Sequence, residues 1–295
     1  MSGSKSKRAF VTALLFMLPF FILYTVFTIW PVIQGVYVSL HKWGLMGKQA
    51  FIGLDNYKKF MGDKNFWGAL WNTTKFVIIT TPMLVIAAMA LAMLANRDTK
   101  GKKVLRISYY LPSILSVSVA SFIIKNLFSP YTGLMNGMLH MLHIIPSDQE
   151  VQWLVDKSLA WGVVTSMTVW WTVGFSMMLF ISALQDIPID IYEAASIDGA
   201  TRAQQLWYLE IPLIKPTTWL VILLQMIACF KVFAQINLIT GGGPAKATRP
   251  LIQYIYETAF QKNNMGYAAA MSYVLFVILV VLSVVQQAIQ SRGED

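Results

Sequence analysis

Two carboxylates and a glycine lie close together in the stretch Glu-Ala-Ala-Ser-Ile-Asp-Gly-Ala, residues 193–200, of a chain with few charges. The alanines allow another protein to approach a helix closely, and Glu193 and Asp198 provide charged contacts at its rim. Gly199 permits a sharp turn after the helix. The stretch is therefore suited to binding another protein, and an ordinary amphipathic connector is the alternative interpretation.

Two short helices are predicted around this turn. Pro188 fixes the start of the first, which covers residues 189–197, and Asp198-Gly199 then turns the chain. The second helix follows over residues 201–210 and ends before Pro212.

The elements that must position this segment are membrane helices. Hydrophobic residues make up 56% of the chain and charged residues 13%, which exceeds the apolar content of soluble proteins. The net charge of +9 is typical of a membrane protein with lysine and arginine in cytoplasmic loops, so we do not infer nucleic-acid binding. The single cysteine, Cys229, excludes an internal disulfide. We expect one all-α transmembrane domain over residues 1–295.

Six apolar runs of bilayer length, which is about 20 residues, predict six transmembrane helices. They cover residues 10–40, 69–95, 104–128, 158–184, 217–238 and 268–289. The first run follows basic residues as a signal peptide would, but it is too long for one and is followed by no cleavage site. We expect it to remain as a membrane anchor.

Basic residues predict the orientation of the chain. The loop at residues 96–106 carries Arg97, Lys100, Lys102, Lys103 and Arg106. Because positive charge collects on the cytoplasmic side, this loop and the N-terminus are predicted to be cytoplasmic, although lysines in the opposite loops weaken the bias. Six spans return the C-terminus to the same side, together with the segment at residues 185–216.

The spacing within this segment resembles a family signature. Glu193-Ala194-Ala195 is followed by Gly199 after three residues and by Leu209, Ile211 and Pro212 after nine more. This resembles the EAA motif of permease subunits of binding-protein-dependent ABC importers, in the carbohydrate-uptake or maltose-type branch. Further matching pieces are residues 53–57, 72–73, 111–112, 133–136, 170–175, 184–188 and 240–244, so the resemblance covers nearly the whole chain.

Two departures from the family pattern are visible. The closing Ile-x-Leu-Pro of the motif reads Leu-Glu-Ile-Pro here, which keeps its apolar character. The outer loops contain no inserted domain, unlike those of some maltose-type subunits. We expect the glycine-rich residues 241–244 to form a flexible outer turn.

The resemblance implies the fold of a type I ABC importer permease in a bacterial or archaeal cytoplasmic membrane. It also implies that the segment at residues 185–216 forms a coupling helix that docks in a groove of a cytoplasmic ATPase. The residues assigned to docking are Glu193, Ala194, Ala195, Asp198 and Gly199. ATP and Mg²⁺ would be bound by that ATPase, and we expect no cofactor or metal in this chain.

A phosphate-binding Gly-Lys-Ser/Thr loop is missing from the sequence. Gly47-Lys48 is followed by glutamine, and Gly101-Lys102 is followed by lysine. The three histidines also have no convincing metal or nucleophile partner in the sequence, so we predict a transport subunit and not an enzyme. The alternative is an ion-coupled transporter or channel, but the apolar runs hold no carboxylate to carry a coupling ion.

Polar and aromatic residues in the apolar runs are candidates for the substrate path, because polar groups are costly in a bilayer. The candidates are Lys231, Gln235, Asn237, Gln225, Trp170, Trp171 and Tyr273. Lys231 and Gln235 are four residues apart and are predicted to share one helix face, while Gln225 lies on another. For the sugar that the resemblance implies, amide and ammonium groups can bond hydroxyls and aromatic rings can stack. Helix–helix bonding, interfacial anchoring and an anionic substrate at Lys231 stay open.

A chain with six spans and one EAA motif is half of a pathway. The resemblance implies a second related permease, a dimer of ATPases, an extracytoplasmic solute-binding protein and surrounding lipid as partners.

Overall fold

The structure is a computed structural model that describes residues 2–96, 101–146 and 148–292. The predicted basic residues Arg97 and Lys100 lie outside the described residues. Two compact units are present, Met1–Asp63 with Ile255–Val277 and Lys64–Tyr254 with Ile278–Asp295.

The first unit begins with one continuous helical segment. Helix α1 (Ser2–Tyr24), a π-helical turn (Thr25–Ile29) and α2 (Trp30–Ser39) follow one another without a break. The remaining elements are strands β1 (His41–Gly44) and β2 (Gly47–Phe51), helix α3 (Asp55–Met61), a π-helical turn (Glu257–Gln261) and the first part of α15 (Met265–Arg292). The predicted first span is confirmed, but the all-helical prediction missed the antiparallel hairpin of β1 and β2.

Asn56 fixes this hairpin to the end of α2. Its side-chain Nδ2 donates hydrogen bonds to the carbonyl oxygens of Ser39, at 2.8 Å, and His41, at 3.1 Å. The hydroxyls of Tyr57 and Ser39 are 2.8 Å apart. A Cβ on Gly266 would collide with the carbonyl of His41, so the start of α15 passes directly against the hairpin. These contacts explain why Asn56 and Tyr57 stand in the motif at residues 53–57.

The second unit is a helical bundle around α4 (Lys64–Asn96) and α8 (Lys157–Gln185). Its other helices are α5 (Lys102–Ile114), α6 (Val117–Leu127), α7 (Leu134–Met141), α9 (Ile189–Ile197), α10 (Arg202–Gln205), α11 (Ile211–Leu213), α12 (Lys215–Phe230), α13 (Ala234–Ile239) and α14 (Leu251–Tyr256). A π-helical turn, Leu206–Glu210, joins α10 to α11. Small residues such as Ala88 and Ala92 on α4, both fully buried, allow α8 and α12 to pack closely against it.

Within the described residues, four helices are long and apolar enough to cross a membrane: Thr12–Ser39, Lys64–Asn96, Lys157–Gln185 and Met265–Ser291. Two bent pairs, Lys102–Ile114 with Val117–Leu127 and Arg202–Leu213 with Lys215–Phe230, bring the number to six if each pair is one span. The predicted runs therefore correspond to these helices, and a multi-pass membrane protein is confirmed.

The prediction of one continuous third helix over residues 104–128 was wrong, because this helix is broken in the structure. Helices α5 and α6 meet at 101°, and Leu115 and Ser116 between them have extended backbone. The Ser116 hydroxyl caps α6 by accepting a hydrogen bond from the Val119 amide. The Trp171 indole of α8 donates to the Leu115 carbonyl at 3.0 Å. The break is thus stabilised by groups that satisfy the exposed backbone.

The fifth predicted helix, residues 217–238, is also interrupted. The amide of Lys231 is shared between the carbonyls of Ile227, at 3.2 Å, and Ala228, at 3.1 Å, which tightens the last turn of α12. Phe233 then leaves the helical conformation with φ −148° before α13 begins. Lys231 and Gln235 therefore do not share the face of one helix, and that prediction was wrong.

Gly174 allows α5 and α8 to touch through their backbones. A Cβ at this position would lie 2.7 Å from the Cα of Tyr110 and nearer still to the carbonyl oxygen of Tyr109. Gly162 lies on the same helix, and a Cβ there would meet nothing within 4 Å. The two glycines form a matched pair for testing the contact.

We expect Gly174→Ala to destabilise the chain by about 1–3 kcal/mol, because the methyl group overpacks a backbone contact. Gly162→Ala should be neutral or stabilise by up to about 1 kcal/mol, since alanine is the better helix former. Thermal unfolding of both purified variants in detergent measures the difference. Equal stability of the two variants would contradict the backbone contact.

Candidate functional site

The segment at residues 185–216 forms the predicted helix pair. Helix α9 covers Ile189–Ile197, as the sequence predicts, and Pro188 lies immediately before it. The second predicted helix, residues 201–210, is a single turn of α10 followed by a π-helical turn. The chain then passes through α11 into α12.

The turn between the two helices depends on glycine. Gly199 has φ +77°, which side chains other than glycine rarely adopt, and a Cβ there would meet nothing within 4 Å. The choice of residue at position 199 is therefore restricted by the backbone conformation and not by neighbouring atoms. Thr201 begins α10 with a capping box, in which its hydroxyl accepts from the Gln204 amide and the Gln204 side chain accepts from the Thr201 amide at 2.7 Å.

Helix α9 is not buried against the rest of the chain. None of its nine residues, all of which the structure describes, is buried. Glu193 and Ala194 are exposed, and Ile197 exposes 86% of its surface. An aliphatic side chain so exposed next to Glu193 forms a mixed apolar and acidic surface that suits a protein partner.

The other three docking candidates border a cavity beside α9. It has a volume of about 290 Å³ and is lined by Ala195, Asp198, Gly199, Ala200, Gln204, Gln205, Tyr208 and Leu209. Ala195, Asp198 and Gly199 therefore border this cavity, and Glu193 and Ala194 lie on the outward surface of α9. The five predicted residues lie on one short helix and its turn.

Gln205 braces α9 from within this segment. It is 5% exposed, and its Nε2 donates to the Ser196 hydroxyl at 3.0 Å. That hydroxyl in turn donates to the Tyr192 carbonyl at 2.7 Å. Sequence reasoning missed Gln205, because an amide in an amphipathic connector gives no sign that it is buried.

A second brace joins Tyr192 to Glu210. Burial raises the pKa of the Tyr192 hydroxyl, and the negative charge of Glu210 raises it further. A hydrogen bond from the phenol to Glu210 adds to the increase in pKa, while the Arg202 cation opposes it. The tyrosine therefore stays neutral and donates to the carboxylate, which links α9 to the π-helical turn.

The helix pair is connected at both ends to the main apolar core. Leu184 at the end of α8 and Ile214 after α11 belong to the buried cluster that α4, α8 and α12 share. Gln185 donates to the Asn96 side chain at 3.3 Å, so the segment is also connected to the end of α4. The helix pair is therefore connected to several helices of the bundle.

A small cavity collects four of the seven substrate-path candidates. It has a volume of about 160 Å³ and is lined by Thr168, Trp171, Thr172, Gln225, Ala228, Cys229, Lys231, Val232 and Gln235. Trp171, Gln225, Lys231 and Gln235 thus line one cavity, although the reasoning from helix faces had separated Gln225 from the others.

The remaining three candidates lie elsewhere. Trp170 and Asn237 are not among the described residues that line this cavity. Tyr273 belongs to the first unit, where its hydroxyl donates to the Val32 carbonyl. This bond joins α15 to the first membrane-spanning segment.

The cavity wall provides hydrogen-bonding groups of both kinds. Gln225 is buried and donates to the Ser176 hydroxyl at 3.0 Å. The hydroxyls of Thr168 and Thr172 donate to backbone carbonyls one turn earlier, at 2.8 and 2.6 Å, which leaves their oxygen lone pairs as acceptors. Lys231 is exposed at the same wall and can donate. Sequence reasoning missed both threonines, although their spacing of four residues on α8 was a visible signal.

The glycine-rich residues 241–244 were predicted to be flexible, but hydrogen bonds hold them in place. The Thr248 hydroxyl donates to the Gly243 carbonyl at 2.5 Å, and Gln253 donates to the Gly241 carbonyl at 2.9 Å. Asn72 on α4 holds the following part of this loop through the carbonyls of Lys246 and Arg249, each at 3.1 Å. The flexible-turn prediction was wrong because it ignored these side chains.

A second fixed loop lies around Asn136. This buried amide donates to the Pro130 carbonyl at 2.8 Å and to Glu150 at 2.6 Å, and it accepts from the Trp153 indole at 2.8 Å. The structure shows no group of three metal-ligating residues among the residues it describes.

These elements define a multi-pass helical membrane protein with an exposed helix next to its core. The family model for the binding-protein-dependent transport system inner membrane component matches residues 60–293. The chain belongs to this family, so the resemblance seen in the sequence is confirmed.

Known proteins of similar sequence are ABC transporter permeases. The probable ABC transporter permease protein YurN of Bacillus subtilis is 32% identical over 285 residues, which are 95% of this chain and 96% of that protein. The multiple sugar-binding transport system permease protein MsmF of Streptococcus mutans is 32% identical over 279 residues, 92% of this chain and 93% of that protein.

Crystal structures of a bacterial ABC transporter that imports the acidic polysaccharide alginate contain a chain of the same fold. Its TM-score is 0.86 at 24% identity, with 98% of both chains covered. A second structure of the alginate transporter, in complex with an alginate pentasaccharide-bound periplasmic protein, has a TM-score of 0.86 at 23% identity and covers 98% of this chain and 96% of that one. The type I importer fold is therefore confirmed.

We expect Gln205→Leu to loosen α9, because it removes the donor to Ser196 while keeping the buried volume. Ser196→Ala should have a similar effect, and the double variant should show an interaction energy of about 0.5–1.5 kcal/mol between the two side chains. Amide hydrogen exchange across α9, together with denaturant unfolding, measures the cycle. Strictly additive effects would show that the two side chains do not act as a brace.

Proposed function

We propose that this chain is the membrane-spanning permease subunit of an ATP-driven importer of a sugar or sugar derivative. It forms half of the translocation pathway, and α9 couples it to a separate ATPase. The observation that carries the proposal is an unburied helix with Glu193 and Ile197 on its surface, braced by Gln205 and standing on the bundle core. Such a helix passes motion as a unit, which a loose loop does not.

In the proposed orientation, the N-terminus, the loop before α5, the coupling segment and the C-terminus face the cytoplasm. The density of basic residues from the end of α4 to the first turns of α5 supports this orientation. Of these residues, Arg106 donates to the Ala95 carbonyl at 3.2 Å and thus also stabilises the end of α4. The cytoplasmic side is where ATP is available.

The proposed partners follow from what one chain lacks. A second permease, similar or identical, completes the pathway, and a dimer of ATPases binds ATP and Mg²⁺ and offers one groove to each permease. An extracytoplasmic solute-binding protein delivers the substrate, as the family description and the alginate complex support.

The proposed substrate path includes the cavity at Lys231. Its hydroxyl, amide and ammonium groups match the hydroxyls of a sugar, and Trp171 provides an aromatic surface beside them. The names of relatives such as MsmF, and the alginate transporter, support a carbohydrate. An acidic sugar would place its carboxylate near the Lys231 ammonium.

Three substitutions in the coupling segment should uncouple transport while leaving the chain in the membrane. Glu193→Lys reverses a docking charge, Ala195→Asp places a charge in the cavity beside α9, and Gly199→Val strains the turn. We expect loss of uptake and a decrease of about tenfold or more in substrate-stimulated ATP hydrolysis, equivalent to ~1.4 kcal/mol.

The control is Gly62→Val, at a glycine with φ −93° and open space around it, which should keep both activities. ATPase binding to sealed inside-out vesicles, and not to right-side-out vesicles, tests the orientation in the same experiment. Normal ATPase binding and normal stimulation of ATP hydrolysis in all three variants would show that α9 does not couple the ATPase to transport. Uptake by the chain alone in liposomes would instead indicate an ion-coupled transporter or channel.

Replacing the cavity residues should impair uptake without preventing assembly. Lys231→Leu and Gln235→Leu each remove a polar group from the wall, and we expect the apparent KM for substrate uptake to increase. Asn237→Leu, outside the cavity, is the matched control and should retain normal uptake. Unchanged uptake by the Lys231 and Gln235 variants would reduce these residues to a structural role.

A further inference from the structure

The tip of the β1–β2 hairpin carries exposed apolar side chains. Met46 exposes 99% of its surface and Leu45 57%, and both lie between the two strands. Exposed apolar side chains at the tip of a projecting element indicate an apolar or interfacial environment rather than bulk water.

This hairpin is held at its tip as well as at its base. The Leu45 amide donates to the side-chain carbonyl oxygen of Asn263, and a Cβ on Gly44 would lie 2.9 Å from the same oxygen. Asn263 itself adopts a left-handed conformation, with φ +51°. Together with the Asn56 bonds at the base, this contact fixes the direction in which the tip points.

Chain connectivity places the tip close to the bilayer. Strand β1 begins two residues after Ser39, the last residue of a membrane-spanning segment, and Asn263 lies two residues before the first residue of α15, a second one. A strand of four residues extends only about 13 Å. The tip is therefore held within reach of the interfacial layer, which separates the hydrocarbon core from water.

The flanks of the hairpin have the residue types of an interfacial anchor. Trp43 lies in β1, and Tyr37 lies two residues before the end of α2, as aromatic residues do in the belts at membrane surfaces. Lys42 is exposed on β1, where its cation suits anionic lipid headgroups. Lys48 donates to the Tyr37 hydroxyl at 2.6 Å, which joins β2 to the same aromatic residue.

We propose that Leu45 and Met46 insert into the interfacial layer of the leaflet at which α2 ends, so that the hairpin is a lipid-binding anchor. The occupant of this surface is the lipid of the same bilayer. Apolar tip residues bind the upper acyl chains, while Lys42 lies at the level of the headgroups. The anchor holds the first membrane-spanning segment and the start of α15 at a constant depth.

Nitroxide labels at single cysteines test this proposal in the full-length chain with Cys229→Ala, reconstituted in vesicles of phosphatidylethanolamine and phosphatidylglycerol. The test position is Met46→Cys. Phe27→Cys, in the first membrane-spanning segment and 72% exposed, is the lipid-facing control. Ile197→Cys, at an apolar position on α9 that is 86% exposed, is the water-facing control because no ATPase is present.

Collision rates of each label with oxygen and with a water-soluble nickel chelate measure its depth. We expect the oxygen-to-nickel ratio at position 46 to exceed that at position 197 several-fold and to fall below that at position 27. A ratio equal to that at position 197 would overturn the proposal. So would immobilisation of the label only when a solute-binding protein or a second permease is added, since the surface would then be a protein interface.

Discussion

Backbone groups that leave a helix inside an apolar bundle must find another partner, and this requirement governs the second unit. Unsatisfied amides and carbonyls are costly where water is excluded. The Leu115 carbonyl at the break between α5 and α6 is bonded by Trp171, and the Ala95 carbonyl at the end of α4 is bonded by Arg106. At both places a specific side chain supports the irregular backbone, and one of these side chains, Trp171, also lines the cavity at Lys231.

In the segment at residues 185–216, polar groups that face the rest of the chain are also bonded by specific side chains. A single buried amide, Gln205, joins α9 to the following helix, and Tyr192 reaches Glu210 with a neutral phenol. These contacts use the polar groups that face inward, so that Glu193 and Ile197 stay available on the outer surface. Rigidity within the segment and availability toward a partner are therefore produced by neighbouring faces of one short helix, since Tyr192 and Ser196 each come one residue before Glu193 and Ile197.

Long periodic apolar runs predicted most of the fold because burial in lipid needs only length and low charge. The runs at residues 69–95 and 158–184 became α4 and α8 with ends extended by a few residues, and α9 has the predicted bounds. The break after α5 could not be predicted, because the indole that stabilises it, that of Trp171, lies on another helix. The end of α12 could not be predicted either, because Phe233 leaves the helical conformation inside a run that the sequence predicts to be one helix. The hairpin was missed for a related reason, since Asn56 and Asn263 fix it from distant positions.

The candidate site was predicted in part. Trp171, Gln225, Lys231 and Gln235 line one cavity, yet the supposed helix face that had joined Lys231 to Gln235 does not exist. The polar residue types correctly indicated which side chains line the cavity. The assumed helix geometry did not, because α12 ends before Lys231. The contact at Gly174 has a mechanical consequence of its own. Where α5 and α8 meet through backbone atoms, their separation is set by the main chain and not by a rotamer, so a push of one helix on the other cannot be absorbed by rearranging a side chain at this point.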